Sequence, residues 1–148
     1  MIPITYAPLT LELRTTFRIA HGASDQRHNV LVRVAEGVGE AAAVAYHGET
    51  QAGIMSYLES LGGFDDDPML GEALEDVLTR LPAGSQAARA GVDIALHDLW
   101  GQRLGQPLYR LLGLNPEKIP LTSFTIAMDA PEAMAERARA SGLPILKI

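Results

Sequence analysis

Ala88-Arg89-Ala90-Gly91-Val92-Asp93-Ile94-Ala95-Leu96-His97-Asp98-Leu99-Trp100-Gly101-Gln102-Arg103-Leu104-Gly105-Gln106-Pro107-Leu108-Tyr109-Arg110-Leu111-Leu112-Gly113 is the stretch that decides the fold. Ser85 is placed to cap a helix running to Leu104. Ala88, Val92, Ala95 and Leu99 recur at helical spacing and form one apolar stripe. Ala87, Ala88, Ala90, Gly91 and Ala95 are small, so a second element can approach this helix closely. Arg89, Asp93 and His97 stand four apart on another face and read as solvated. Gly105 ends the helix. Pro107 opens a short helical turn, Leu108 to Leu112, which Gly113 closes. Trp100 and Tyr109 read as packing residues.

Upstream, the period is two. Thr5 to Arg14 alternates Leu9, Leu11 and Leu13 with Thr10, Glu12 and Arg14, the pattern of a half-buried strand. Phe17 to Arg27, with Gly22, Ser24 and Asp25, reads as a loop. Asn29 to Ala35 alternates again, with Val30, Val32 and Val34 on one face. Glu36-Gly37 is read as a turn into a third strand, Val38 to Ala43. Thr50 then caps a helix carrying Ile54, Leu58 and Leu61, which Gly62-Gly63 stops. Asp65-Asp66-Asp67-Pro68 reads as a solvated linker. Leu70, Leu74, Val77, Leu78 and Leu81 give a further helix, broken at Pro82-Ala83-Gly84.

Downstream, Ile119 to Met128 reads as a strand, Asp129 and Pro131 open a helix, and Gly142 ends it. Leu143 to Ile148 is a second apolar strand. Strand, helix, strand is the parallel βαβ unit. Parallel strands normally lie in sheets covered on both faces, and an apolar edge is an aggregation hazard. These features predict an α+β module of three antiparallel strands plus helices, followed by the start of a barrel that is interrupted.

The bulk composition narrows the function classes. The 148 residues are 47% hydrophobic and 20% charged, with a formal net charge of -6 and no cysteine. A mildly acidic chain without a basic stripe argues against nucleic acid and anionic membranes as partners. Absence of cysteine excludes disulfides and thiolate metal sites. No secretory leader or 20-residue apolar run is present, so a cytoplasmic location is expected.

The quoted stretch resembles the signature of the mandelate racemase and muconate lactonizing branch of the enolase superfamily, a small-residue helix followed by A-L-x-D-L-x-G-x-x-x-G-x-P-x-x-x-L-L-G. Phe17-Arg18-Ile19-Ala20 resembles the start of the family's first specificity loop. Gly39-Glu40-Ala41 followed by Tyr46-His47-Gly48-Glu49-Thr50 resembles its second. Thr122-Ser123-Phe124-Thr125-Ile126 is similar to the first barrel strand of dipeptide epimerases. Leu146-Lys147-Ile148 is similar to the opening of their K-x-K motif.

The resemblance implies an α+β capping domain at 1–116 and, at 117–148, the first βα unit and second strand of a TIM-like barrel. It implies an isomerase that removes the proton alpha to a carboxylate, with Mg2+ stabilising the enediolate. Such a proton is so weakly acidic that the intermediate needs a divalent cation. Lys147 matches the first lysine of K-x-K, the electrostatic partner of a base two residues further on. A neighbouring ammonium keeps such a base partly neutral. Thr125 is expected to face the substrate. His21, Gly22 and Asp25 in the first loop, and Tyr46, His47 and Glu49 in the second, are the specificity candidates.

Glutamate-selective members carry an arginine where this chain has Gly22. Together with Asp25 and Glu49, that departure points to a neutral or cationic dipeptide. None of Asp65, Asp66, Asp67, Asp93, Asp98 and Asp129 matches a family metal ligand. The polypeptide alone is therefore expected to be inactive. A homo-oligomer is carried by the resemblance alone. A muconate cycloisomerase, an o-succinylbenzoate-synthase-like enzyme and a non-catalytic module with the cap fold are the competing readings.

Overall fold

The computed structural model describes residues 1–19, 22–69 and 73–148. The chain divides into two compact units, one of residues 1–11 with 27–114, the other of residues 12–26 with 115–148.

Strand β1 (Ile2–Ile19) and strand β2 (Gly22–Val34) are sheet neighbours, and β3 (Gly37–Ala41) pairs antiparallel with β2. This is the expected meander of three strands. Helix α1 (Gln51–Leu61) follows, and a short β4 (Gly63–Phe64) then adds to the far edge of β1, giving the order β3-β2-β1-β4. Helices α2 (Leu74–Thr79), α3 (Gln86–Leu104) and α4 (Leu108–Leu111) complete this unit. In α2, Val77 is buried and the capping residue Ala73 is extended. The expected start of that helix at Leu70 lies outside the described residues.

The expected loop Phe17 to Arg27 is instead strand on both sides of residues 20 and 21. Thr15, Thr16, Arg18, Ala23, Asp25 and Gln26 are all exposed. A ribbon wet on both faces has no apolar face to alternate with, so it carries the composition of a loop.

The core of the first unit is the contact of α3 with β2 and β3. Val30, Val32 and Val34 are buried on one face of β2, against buried Ala88, Val92, Ala95 and Leu99 of α3. Fully burying such side chains stabilises by roughly 1.5–3 kcal/mol each. The helix lies almost backbone to backbone on β3. A Cβ at Gly37 would meet the Ala95 carbonyl oxygen at 2.1 Å, and one at Gly39 would meet that of Gly91 at 2.0 Å. The stripe of small residues does what its composition suggested.

That packing moves the turn. Val34 pairs with Gly37, so the turn residues are Ala35 and Glu36, one earlier than the Glu36-Gly37 expected. Ala35 takes the left-handed φ of 50°, although glycine would do so at lower cost. Gly37 is required beneath the helix and is not available to the turn.

Polar groups fasten the two ends of α3. Ser85 accepts from the Ala88 N–H as its N-cap. Near the other end, Asp98 Oδ2 accepts from the Val38 N–H of edge strand β3 at 2.8 Å and from Gln102 at 2.7 Å. Arg103 Nη1 lies 2.6 Å from both carboxylate oxygens of Asp67. Asp67 is thus not the solvated residue expected, while Asp65 and Asp66 are exposed. Asp93 and His97 are half-buried, not fully solvated, and are 2.7 Å apart.

In the second unit, β5 (Ser123–Thr125) and β6 (Ile145–Lys147) form the expected parallel pair around helix α5 (Pro131–Ser141). Both strands are shorter than their apolar runs, because ladder pairing extends over only three residues of each. Phe124, Ile145, Leu143 and Met128 are exposed.

Candidate functional site

The two barrel-like strands bring two candidate residues together. Thr125 and Lys147 are register partners in the parallel ladder, so their side chains project from the same face. The Ile126 N–H donates to the Lys147 carbonyl at 2.9 Å and extends the pairing. Ile126, one residue on, is buried on the opposite face. Thr125 is half-buried and Lys147 exposed.

The segment after β5 is held in place. The Met128 N–H donates to the Arg18 carbonyl at 3.0 Å. Asp129 accepts from the Ala130 N–H at 2.9 Å and from Arg137 at 2.6 Å. The backbone N–H and then the Arg137 guanidinium hold the Asp129 carboxyl below the ordinary aspartate value.

The end of β1 and the start of β2 carry the first group of specificity candidates. His21 lies outside the described residues. Gly22 has φ 143° and open space around its Cβ position. An arginine there would have a strained backbone. Asp25 is exposed and accepts from the Thr16 hydroxyl of β1.

Tyr46 and His47 lie in a 3-10 turn, Ala45–His47, closed by Gly48 at φ 75°. Their rings are 4.2 Å apart between centroids, and Tyr46 is 75% exposed. Glu49, expected to meet substrate, is occupied elsewhere. Its carboxylate accepts from the Ser85 hydroxyl at 2.7 Å and from the Ala87 N–H at 3.1 Å, at the start of α3. The Ser85 hydrogen bond is the main cause that holds the Glu49 carboxyl below its ordinary value. Sequence reasoning missed this role because the cap joins residues 36 positions apart.

Among the described residues, no group of three or more His, Asp or Glu side chains is placed to hold a metal ion. The donors among the described residues do not fit Mg2+. No helix among the described residues is long and apolar enough to cross a membrane.

Acid titration tests these carboxylates. Asp67 is also lowered, by the Met69 N–H and then by Arg103. A group lowered in the folded state stabilises fully above its unfolded value and loses that contribution as pH falls through its folded value. The ordinary values are 4.5 for Glu49 and 3.8 for Asp67 and Asp129. Thermal melts are expected to hold level from neutrality to about 4.5 and to fall below it. A midpoint that rises on acidification would contradict this electrostatic picture.

Residues 2–113 match the family model described as mandelate racemase / muconate lactonizing enzyme, N-terminal domain. The chain belongs to this mandelate racemase and muconate lactonizing enzyme family. Its antiparallel sheet and helices form the family's N-terminal capping domain. The chain is 39% identical to an L-Ala-D/L-Glu epimerase of Bacteroides thetaiotaomicron over 98% of its own length and 40% of that protein's. Two solved structures are similar. One is a substrate-liganded L-Ala-D/L-Glu epimerase from Bacillus subtilis, with TM-score 0.79 and 27% identity over 99% of this chain and 44% of that one. The other is a dipeptide epimerase from Methylococcus capsulatus complexed with Mg and L-Arg-D-Lys, with TM-score 0.76 and 30% identity over 99% of this chain and 45% of that one. The chain therefore spans about two-fifths of the length of these family relatives.

Proposed function

We propose that this chain supplies the capping domain, 1–116, and the first barrel strands, 117–148, of a Mg2+-dependent dipeptide epimerase. The observation that carries the reading is Lys147 beside Thr125 on one face of a parallel strand pair. It falls where the family's K-x-K motif begins. Active sites of such barrels form at the C-terminal ends of the strands, and Thr125 is the last residue of β5.

In this reading Lys147 is the electrostatic partner of the lysine that removes the alpha proton. Thr125 faces the bound dipeptide, and Gly22, Asp25, Tyr46 and His47 select its side chains. The Mg2+ donors belong to barrel strands other than β5 and β6. The open, arginine-free position at Gly22 favours a neutral or cationic side chain over glutamate. Glu49 no longer supports that preference, because its charge is engaged at the start of α3.

The test uses the full-length protein as its gene encodes it, with Mg2+, in D2O. Dipeptides with neutral, cationic and glutamate side chains are followed by proton NMR for exchange at the alpha carbon. Exchange with Mg2+, fastest on a neutral or cationic dipeptide, is the expected result. The 148-residue polypeptide assayed alone should show none. No exchange by the full-length protein on any dipeptide, with turnover of a muconate or of an o-succinylbenzoate precursor, would sink the epimerase reading.

A further inference from the structure

Residues 12–26, from strands β1 and β2, belong to the same compact unit as residues 115–148. Within it the two strands are tied to each other by side chains. The Gln26 amide donates to Glu12 at 2.6 Å, and the Thr16 hydroxyl donates to Asp25. Whatever fixes Arg18, two residues from Thr16, therefore also restrains Asp25 on the neighbouring strand.

The fixed point is a backbone bond. Two N–H groups of the segment leaving β5 are used in turn. That of Ile126 donates to the Lys147 carbonyl of β6 at 2.9 Å, and that of Met128 donates to the Arg18 carbonyl at 3.0 Å. The first continues the pairing that holds Thr125. The second carries the strands of 12–26. Arg18 stands four residues before Gly22, and Met128 three after Thr125.

Such a bond persists only if the turn that donates it is itself held. Ala130, the N-cap of α5, makes no side-chain cap bond, and Pro131 has no N–H to contribute. The Asp129 carboxylate does the holding. Its Oδ1 accepts from the Ala130 N–H at 2.9 Å, and its Oδ2 accepts from Arg137 Nη2 at 2.6 Å. Arg137 lies within α5, whose start is fixed by the Met134 N–H on the Ala130 carbonyl at 3.0 Å. After those two bonds, the positive charge of Arg18 adds to the pull that keeps the Asp129 carboxyl ionised. Groups that meet a ligand are only as well placed as the shell that supports them.

We infer that Asp129 is a positioning residue: by holding the turn 128–130 to α5, it keeps the Met128 N–H on the Arg18 carbonyl and so sets Gly22 and Asp25 for side-chain selection. The inference rests on the epimerase reading, in which Gly22 and Asp25 select substrate side chains. All of these residues belong to one compact unit.

The experiment compares the wild-type full-length protein, with Mg2+, with its Asp129→Ala, Arg137→Met and Arg137→Lys variants. The substrates are the preferred dipeptide and one that differs from it in a single side chain. Amide exchange of the segment 126–130, which holds the Met128 N–H, is followed alongside by mass spectrometry. Asp129 and Arg137 are each 42% exposed, so the variants should fold. Exposed ion pairs are weak, so Asp129→Ala is expected to reduce the preference between the two dipeptides about three- to tenfold, mainly through KM of the preferred one. It should also speed exchange at 126–130 at least about threefold. Arg137→Met should do both to a smaller extent, and it leaves the sequence of that segment unchanged, so its exchange reads the anchor directly. The contact runs through a single guanidinium nitrogen, so Arg137→Lys should restore most of the preference.

Unchanged exchange in both Asp129→Ala and Arg137→Met overturns the inference. So does an unchanged preference in an active Asp129→Ala, and the epimerase reading survives either result. Equal losses on both dipeptides, in step with a lowered melting point and without rescue by Arg137→Lys, mark a structural role and overturn it as well. A wild type that exchanges no dipeptide overturns the epimerase reading, and the inference with it.

Discussion

Replacing Lys147 with methionine in the full-length protein is expected to lower kcat/KM at pH 7 by about 10- to 1000-fold and to move the acid limb of the pH profile upward. In the proposed reading the base is a lysine two residues beyond Lys147. Residues two apart on a strand point the same way, so a second ammonium stands beside that base. A like charge at this range lowers the pKa of such a base by roughly one to three. With Lys147 gone, the base holds its proton more tightly, and a smaller fraction is neutral at pH 7. A base whose pKa rises by one keeps about a tenth of its neutral, reactive form. Lys147→Arg keeps the charge and should retain most of the acid limb's position. The profile separates this role from a structural one, since lost packing would lower the rate without moving the limb. An unmoved limb in Lys147→Met would remove Lys147 from the site.

The second large effect is on stability. Gly39→Ala is expected to destabilise the chain by about 3–5 kcal/mol, or to prevent folding, as read by denaturant titration. The added Cβ would stand 2.0 Å from the Gly91 carbonyl oxygen and 2.8 Å from the Ala95 N. Both are backbone atoms of α3, so no rotamer change relieves the clash. The helix must lift from the sheet, and the core under Val32, Val92 and Ala95 opens with it. Typical domains hold only about 5–15 kcal/mol in total. Ala90→Gly, an exposed position on the same helix, should cost only about 1 kcal/mol through helix propensity. Similar losses for the two variants would mean that the close approach of α3 to β3 is not as drawn.

Much of the capping domain is legible in the chain. Val30, Val32 and Val34 at period two, and Ala88, Val92, Ala95 and Leu99 at helical spacing, name the two faces that meet, because burial selects for apolar residues at the period of each element. Thr50, Ser85, Gly62 and Gly105 mark helix ends through bonds and backbone angles local to a few residues. The stripe of small residues on α3 announces that something comes close to it.

What comes close was decided only in three dimensions. Gly37 reads as a turn residue until the Ala95 carbonyl occupies the space of its Cβ, and the turn then falls on Ala35 and Glu36. The polar stretch from Phe17 to Arg27 reads as loop because hydrophobic alternation reports burial, and its described residues, 17–19 and 22–27, are strand with exposed residues on both faces. The candidate site divides in the same way. Lys147 and Thr125 were marked by motif, and their registry depends on one parallel pairing. Glu49 reads as a specificity candidate and instead bonds to the start of α3, a helix that begins far along the chain. The sequence alone determined the capped helices, the apolar faces that form the core and the family signature, since these are written in local spacing. Tertiary structure alone decided which glycine lies under a helix and which carboxylate faces inward, since both depend on atoms that folding brings together from distant positions.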